Sequence, residues 1–315
     1  MQPVSTSAAY QSVLTQLITS ENNEISAQQQ ASSGKLGDTL SGFGSQTGSL
    51  VAAQSVMTRV NGLVSQLNQT STQLTFQQTA LTQISTIAQQ LKTDLTESDG
   101  LGSGDNLMNQ VQGLFSQAVS ALNTQNPDGS YTFSGGQTST QPFTATSMSD
   151  LTTQSSVSSF FQNGDLAPVS RIDDNTTIQT GFTASTVGQS LMGIFQSIQS
   201  FQQSASGNFG GTLTSAQQTF VENTMSQLDA VVTASSNTAA QGGDIQNQVT
   251  DALTTQQARQ TTLQSVIGDM SNADAATAAT NLTQAQTAFS AAAQVFNTLK
   301  GMSLLNYMSS TGTVG

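Results

Sequence analysis

The feature that most constrains this chain is a pair of long runs in which apolar residues recur at alternating steps of three and four. This spacing places the apolar side chains on one side of a helix and predicts a coiled-coil seam. The C-terminal run consists of Ala275, Ala278, Leu282, Ala285, Phe289, Ala292, Phe296 and Leu299. The second run begins at Leu50, Ala53, Met57 and Val60, and shifts by one residue after Leu81 onto Ile84, Ile87 and Leu91.

The N-terminal segment is also amphipathic. Its apolar residues are Tyr10, Leu14, Leu17, Ile18 and Ile25, and the pattern breaks at residues 32–34, Ser-Ser-Gly. Each end of the chain therefore has an apolar side that needs cover. We expect the two ends to pack against each other and against other copies of the chain.

The middle of the chain has a different pattern. Asp105 is expected to cap a helix that continues to Leu122. A turn at residues 126–129 precedes Tyr131, Thr132 and Phe133, which are predicted as one arm of a hairpin. Residues from there to Gly181 favour short strands and loops. Helix is expected again from Val187, interrupted at residues 207–211 and loosened at 242–243.

These patterns predict a mainly α protein with long coiled-coil terminal helices and a helical bundle that carries a small β-rich inserted outer domain. Residues 1–47 and 268–315 would form the terminal coiled-coil assembly domain. Residues 48–130 and 187–267 would form the helical bundle, and residues 131–186 the insert.

Composition argues against most chemistry. The chain has 315 residues and contains neither His nor Cys, so nucleophilic sites that pair Ser or Cys with His and the usual zinc sites are impossible. A formal net charge of −12 argues against nucleic acid as a partner. No apolar stretch approaches the length of a transmembrane helix, so membrane insertion is not expected.

The remaining candidates for chemistry are weak. Glu97, Asp99 and Asp105 could offer oxygens to calcium, but they lack the ligand density of a calcium loop. The adjacent Asp173 and Asp174, beside Arg171, are expected to form a solvated turn. We therefore predict no catalytic residue, no metal ligand and no cofactor, and interpret the chain as a structural protein and not an enzyme.

Several segments at the two ends resemble the flagellin superfamily. At the N-terminus these are residues 4–6 (Val-Ser-Thr), 10–11 (Tyr-Gln) and 28–35 (Gln-Gln-Gln-Ala-Ser-Ser-Gly-Lys). At the C-terminus they are residues 281–289 and 303–308. Within the superfamily, the opening, the ending and the segment Tyr131–Gly135 with Thr138 and Phe143 resemble the hook–filament junction family.

The resemblance implies a structural subunit of the bacterial flagellum, exported through the type III channel with an uncleaved N-terminal signal. The subunit would form the hook–filament junction by self-assembly, between a neighbouring hook-associated protein and flagellin. A cytoplasmic export chaperone would cover the C-terminal helix. The expected assembly interface is Tyr10, Leu14, Leu17, Ile25, Leu282, Phe289, Phe296 and Leu299. The expected hairpin to the outer domain is Tyr131, Phe133, Gly135 and Phe143.

Three alternatives remain open at this point. The chain could be a filament flagellin, or a flagellin homologue at the cell surface that acts as an adhesin or glycan-binding protein. An enzyme confined to residues 131–186 is a second alternative, which the residue inventory disfavours. A trimeric coiled-coil adhesin is the third, and it would need a cleavable signal and a membrane anchor, neither of which we identify.

Overall fold

The computed structural model describes residues 4–37 and 39–311, with side-chain exposure for residues 8–37, 39–40 and 42–301. In chain order the helices are α1 (Val4–Ser33), α2 (Thr47–Leu101), α3 (Leu107–Leu122), α4 (Met148–Leu151), α5 (Ala184–Gln202), α6 (Ser215–Ser271) and α7 (Ala275–Thr311). Two 3-10 helices span Leu40–Gln46 and Val157–Phe160. The strands are β1 (Val169–Asp173) and β2 (Thr176–Gln179). The protein is mainly α with a small β-containing region, as predicted.

The chain forms two compact units. The first, which we call the terminal unit, comprises the described residues of Met1–Arg59 and Gln260–Gly315. The second, the central unit, comprises Val60–Arg259. The division into three nested domains remains a prediction.

The central unit contains a large hydrophobic core. Helix α3 contributes Phe115, which meets Phe195 of α5 edge to face with ring centroids 5.6 Å apart. Within this unit α2 and α6 run antiparallel. The Gln78 amide donates a hydrogen bond to the Ala239 carbonyl (3.0 Å), and the Lys92 ammonium pairs with Asp229. Gly242 lies against Gln78 and Leu81, which leaves no room for a larger side chain.

Helix α6 is continuous through Gly242 and Gly243, so the loosening predicted there is absent. The reason is packing. Of the glycines in α2 and α6, Gly242 lies closest to the other helix. A glycine that costs helix propensity can be retained because it permits such an approach.

The insert contains less β-structure than its sequence suggests. Strands β1 and β2 form one antiparallel hairpin, in which Ser170 pairs with Ile178. Ile172 and Ile178 pack beside the buried Leu67, Leu74 and Val249 of α2 and α6. The rest of the insert is built from turns, bends and short helices.

Candidate assembly surface

The two ends of the chain pack together in the terminal unit, as the heptads predict. Helices α1 and α7 contact each other and run antiparallel. Near one end of the pair the rings of Tyr10 and Phe296 lie 5.3 Å apart. Near the other end Lys35 and Asn272 form an isolated β-bridge. These two contacts fix the register of the two helices.

The bridge is formed where α1 ends and α7 begins. Gly34 has φ of 68°, a conformation that glycine adopts without strain, and it ends α1 after Ser33. Its carbonyl accepts a hydrogen bond from the Ala273 amide at 2.8 Å, and the Leu36 amide donates to the Ser271 carbonyl at 2.8 Å. The Ser-Ser-Gly break seen in the sequence is therefore the point that ties α1 to the start of α7.

Asp274 caps the first turn of α7. Its carboxylate accepts a hydrogen bond from the Thr277 backbone N–H at 2.8 Å. This bond, together with bonds from the Thr277 hydroxyl and the Ala276 amide, lowers the pKa of Asp274 below its ordinary value. The ionised form is favoured because it accepts these bonds at a helix N-terminus.

The predicted assembly residues of α7 lie along its contact with α1. All four are half-buried, which is the burial expected for a seam covered by a single neighbouring helix. They are Leu282, Phe289, Phe296 and Leu299. On α1, Leu17 is also half-buried, whereas Tyr10 is exposed despite its contact with Phe296.

The side of α1 that faces α7 also contains small residues that the sequence analysis did not single out. Ser20 and Ala27 are buried, and they lie seven residues apart. The seven-residue spacing of these small residues indicates the side of α1 that faces α7, but a search for apolar periodicity does not count serine. Ala278 is the buried counterpart on α7.

A second apolar stripe on α1 stays exposed after α7 is in place. Leu14, Ile18 and Ile25 are 37%, 48% and 47% exposed, and their spacing of four and seven puts them on one side of the helix. Val295 of α7 is 51% exposed. Among the side chains that the structure describes, the buried apolar residues of the terminal unit are only Ala27, Leu50 and Ala278. The terminal unit thus shows much apolar surface and has little core.

A groove of about 420 Å³ follows the α1–α7 pair. Its walls are mostly small or polar side chains, including Ser20, Ala27, Gln30, Ala285 and Ala288. Small side chains leave holes, and a larger side chain from another helix can insert into such holes. The groove leaves unfilled space beside the α1–α7 pair, and the stripe leaves apolar side chains uncovered.

The four residues predicted at the hairpin to the outer domain lie in the central unit, but they do not form a hairpin. Tyr131 makes an isolated bridge with Gln125, and the residues after it form turns. Phe133 and Phe143 are fully buried in the core instead of alternating on a strand. Gly135 has φ of 64° and lies so close to the Gly164 and Leu166 carbonyls that a Cβ would clash with them. These turn requirements outweigh the strand propensity of the Tyr-Thr-Phe segment.

Asn123 holds Phe143 in place, a role that the sequence did not indicate. Its side-chain amide donates to the Phe143 carbonyl at 2.9 Å and its Oδ1 accepts from the Phe143 amide at 3.0 Å. The ring of Phe143 then packs against Phe161, with centroids 4.9 Å apart. An asparagine that satisfies both backbone groups of a distant residue leaves no local sequence pattern.

Two of the acidic residues that the sequence offered as candidate ligands or catalytic groups, Asp105 and Asp173, instead make structural contacts. Asp105 does not cap α3; the N-cap is Asn106, and Asp105 accepts a hydrogen bond from the Gly211 amide at 2.7 Å. Asp173 pairs with Arg259 at 3.3 Å, and its pKa is lowered, most of all by the Asp174 amide. In the described part of the chain, no cluster of three or more acidic residues could hold a metal ion.

Comparison with known proteins finds one family model that is similar to the C-terminal part of the chain. Residues 225–308 match the family model of the bacterial flagellin C-terminal helical region. This range includes every predicted assembly residue of α7. This match covers 84 of the 315 residues of the chain. No curated protein sequence matches it significantly. Over the residues that the structure describes, no helix is long and apolar enough to cross a membrane.

Two solved structures are similar to the chain. One is from Vibrio parahaemolyticus, is described as a flagellar hook-associated protein, and has a TM-score of 0.58 at 17% identity. The match covers 73% of this chain and all of that one, and it shows a shared fold. The other is Bacillus cereus FlgL, with a TM-score of 0.41 and 16% identity over 62% of this chain and 98% of that one.

Proposed function

We propose that this chain is a structural subunit of the bacterial flagellum that forms the hook–filament junction by self-assembly through its terminal helices. The observation that carries the proposal is the exposed stripe Leu14, Ile18 and Ile25 on a unit with few buried apolar residues. Burial of apolar side chains drives protein association. A neighbouring copy would complete the core that one terminal unit lacks.

The proposed assembly has a simple physical basis. The stripe residues are not among those that line the groove, so the stripe of one copy can enter the groove of the next. Contacts of this head-to-tail kind repeat from copy to copy and generate rings or helical tubes. Junction subunits would end this propagation where they meet a different hook-associated protein below and flagellin above.

Export is the second element of the proposal. A chain with an exposed apolar stripe tends to aggregate before it assembles. A cytoplasmic export chaperone bound to the α7 seam would protect it, and the folded terminal unit would form outside the cell. The chain would then be secreted and located in the flagellum.

The assembly step can be tested with charge placed on the exposed stripe. We expect the double variant Ile18→Asp with Ile25→Asp to lose assembly, because a buried carboxylate without a partner is costly. The matched control is Gln16→Asp with Gln28→Asp, which places the same charges at exposed polar positions of α1. Sedimentation and electron microscopy would measure assembly, and normal assembly of the stripe variant would refute the proposed interface.

The seam variants test a different contact. Phe289→Asp with Phe296→Asp should block assembly by breaking the pairing of α1 with α7, while the central unit stays folded. Circular dichroism and urea unfolding would follow the central unit, whose core contains neither residue. Normal filaments on cells that carry this variant would contradict a role for the α1–α7 seam.

The alternative of a filament flagellin is distinguished by copy number. A junction protein should be present at about one ring per filament, whereas a flagellin forms the filament itself. Quantitative mass spectrometry of sheared filaments measures this ratio. A deletion strain gives the second measurement, since loss of the junction should leave hooks in place and release flagellin unassembled.

A further inference from the structure

The central unit contains a cavity that the assembly proposal does not use. Its volume is about 310 Å³, at the lower end of the range of small-molecule sites. One wall is formed by α2 and the other by the turns around residues 126–138 and 166–169. None of its lining residues is charged. The lining instead combines amide and hydroxyl groups with a few apolar side chains.

Gln77 supplies an unused hydrogen-bond acceptor in this cavity. The residue is 4% exposed, and its amide nitrogen donates to the Thr180 carbonyl at 3.3 Å. No described residue donates a hydrogen bond to its Oε1, although this atom is not sealed from solvent as the Gln78 Oε1 is. An amide oxygen that belongs to a cavity-lining residue, has no protein donor and is open to solvent can accept a hydrogen bond from a hydroxyl or amide group of a ligand.

Tyr131 supplies an aromatic wall. Its ring is half-buried, and its backbone is held by the Thr138 carbonyl at 2.9 Å. No described residue forms a hydrogen bond with its hydroxyl. A half-buried tyrosine offers both an apolar ring face and a polar tip to a ligand. It thus suits a molecule that itself has an apolar face and hydroxyl groups.

The loop that holds Tyr131 is fixed by side-chain hydrogen bonds. Thr132 donates to the Asn126 Oδ1 at 3.2 Å, and the Asn126 amide donates to the Ser130 hydroxyl at 3.0 Å. Ser130 in turn donates to Asp128 at 2.6 Å. A wall that is already ordered loses little entropy when a ligand binds.

The mouth of the cavity is apolar. Leu166 and Val169 are 78% and 70% exposed, the first and third most exposed of the large apolar side chains that the structure describes. A charged ligand would meet no opposite charge in the cavity and would lose hydration. A purely apolar ligand would leave the Gln77 oxygen without a donor. The cavity therefore favours a neutral ligand that has both polar and apolar groups.

From these features we infer that the cavity binds a neutral carbohydrate, with one sugar ring between Tyr131 and Gln77. A pyranose ring has apolar C–H faces for Tyr131 and the apolar rim, and hydroxyl groups for the Gln77 oxygen. The inference is independent of the assembly proposal, since the residues involved all belong to the central unit.

Sugar binding by the full chain in its unassembled form tests this inference. The probes are glucose, galactose, mannose and N-acetylglucosamine, with glucuronate and glucosamine as charged counterparts. We expect saturable binding of at least one neutral sugar with a dissociation constant on the order of 1 mM, and at least tenfold weaker binding of the charged counterparts. Saturation-transfer NMR gives the affinity and the bound protons of the sugar.

Two variants locate the site. Tyr131→Ala should weaken binding by about tenfold, whereas Leu101→Ala, at an exposed position of the central unit outside the cavity lining, should leave it unchanged. Leu166→Ala keeps the test valid if Tyr131→Ala proves unstable, because Leu166 is exposed and its truncation should weaken binding without affecting folding. Circular dichroism would verify folding of each variant.

Three results would overturn the inference. Absence of binding by every neutral sugar is the first, and binding that is unchanged by Tyr131→Ala and Leu166→Ala is the second. The third is that these variants weaken self-association in sedimentation while no sugar binds. That outcome would show that a side chain of a second copy, and not a sugar, fills the cavity.

Discussion

At the scale of single residues, the central unit depends on glycines whose surroundings exclude any side chain. Gly135 combines a φ of 64° with backbone carbonyls of Gly164 and Leu166 that a Cβ would approach to 2.7 and 2.9 Å. Gly135→Ala should lower the free energy of unfolding by about 1–3 kcal/mol, because neither the backbone conformation nor the contact can relax freely. Gly136→Ala, next to it and with open space around it, is the control. Urea unfolding measures both, and equal stability of the two variants would contradict the steric argument.

Asp150 gives the central unit a pH dependence. Its carboxylate accepts hydrogen bonds from the Thr146 and Ser147 amides, each at 2.9 Å, and these bonds lower its pKa from 3.8 to about 2. A lowered pKa in the folded state means that the carboxylate stabilises the fold above about pH 4, and that this contribution disappears as the pH falls toward 2. Asp150→Asn should therefore destabilise the protein at pH 6 and have little effect at pH 2. Thermal unfolding at the two pH values measures this, with the exposed Asp165→Asn as control; an equal loss at both pH values would exclude the ionised carboxylate as the cause.

At the scale of elements, the long helices could be predicted from the sequence, whereas the strands could be placed only within the segment from Tyr131 to Gly181 and not at their own positions. Helix periodicity repeats over many turns, so α2 and α7 are evident from their apolar spacing alone. The turns that follow Tyr131 depend instead on bonds to other segments: the Tyr131 amide donates to the Thr138 carbonyl, and the Gly164 amide donates to the Ser134 carbonyl from a distant part of the insert. The prediction of Asp105 as the N-cap of α3 is wrong for a similar reason. Its carboxylate accepts a hydrogen bond from the amide of Gly211, which lies 106 residues away in sequence. Local patterns predict local structure and miss such distant partners.

The same reasoning applies to the assembly surface. The heptads identify α1 and α7 as helices with apolar sides, and they predict that the two pair. Which residues of α1 face α7 could not be predicted, because the side facing α7 includes the small Ser20 and Ala27 while Leu14 and Ile25 point away. Hydrophobicity ranks leucine and isoleucine above serine, but close packing of helices can favour the smaller residue.

The β1–β2 hairpin should be held to the central unit mainly by its two isoleucines. Ile172 and Ile178 pack against the buried Leu67, Leu74 and Val249, and the Ser170 hydroxyl lies 3.0 Å from that of Thr70. Ile178→Ala should cost about 1–2 kcal/mol and loosen the hairpin, since a half-buried side chain loses part of the full burial energy. Thr177→Ala, at the exposed neighbouring position, should leave it in place. Hydrogen exchange of residues 169–179 reports the outcome, and equal exchange in the two variants would exclude anchoring by Ile178.

At the scale of the whole molecule, the distribution of buried apolar side chains divides the chain into a stable part and a marginal part. The central unit has a continuous core that includes Phe115, Phe133, Phe143 and Phe195. The terminal unit has long helices but only three buried apolar side chains among those described. Helical stability in proteins comes mostly from packing of an apolar face, so helices without a core open easily.

This difference predicts how the unassembled chain behaves in hydrogen exchange. Amides of α1 and α7 should exchange at least tenfold faster than those of α3 and α5, because local opening of the terminal helices exposes little buried surface. Assembly should remove the difference, since a neighbouring copy would cover Leu14, Ile18 and Ile25. The Ile18→Asp with Ile25→Asp variant provides the control, because it should retain fast exchange at concentrations where the unchanged chain becomes protected. If α1 and α7 were as protected as α3 and α5 in the isolated chain, the terminal unit would be stable on its own and would not need a partner to complete its core.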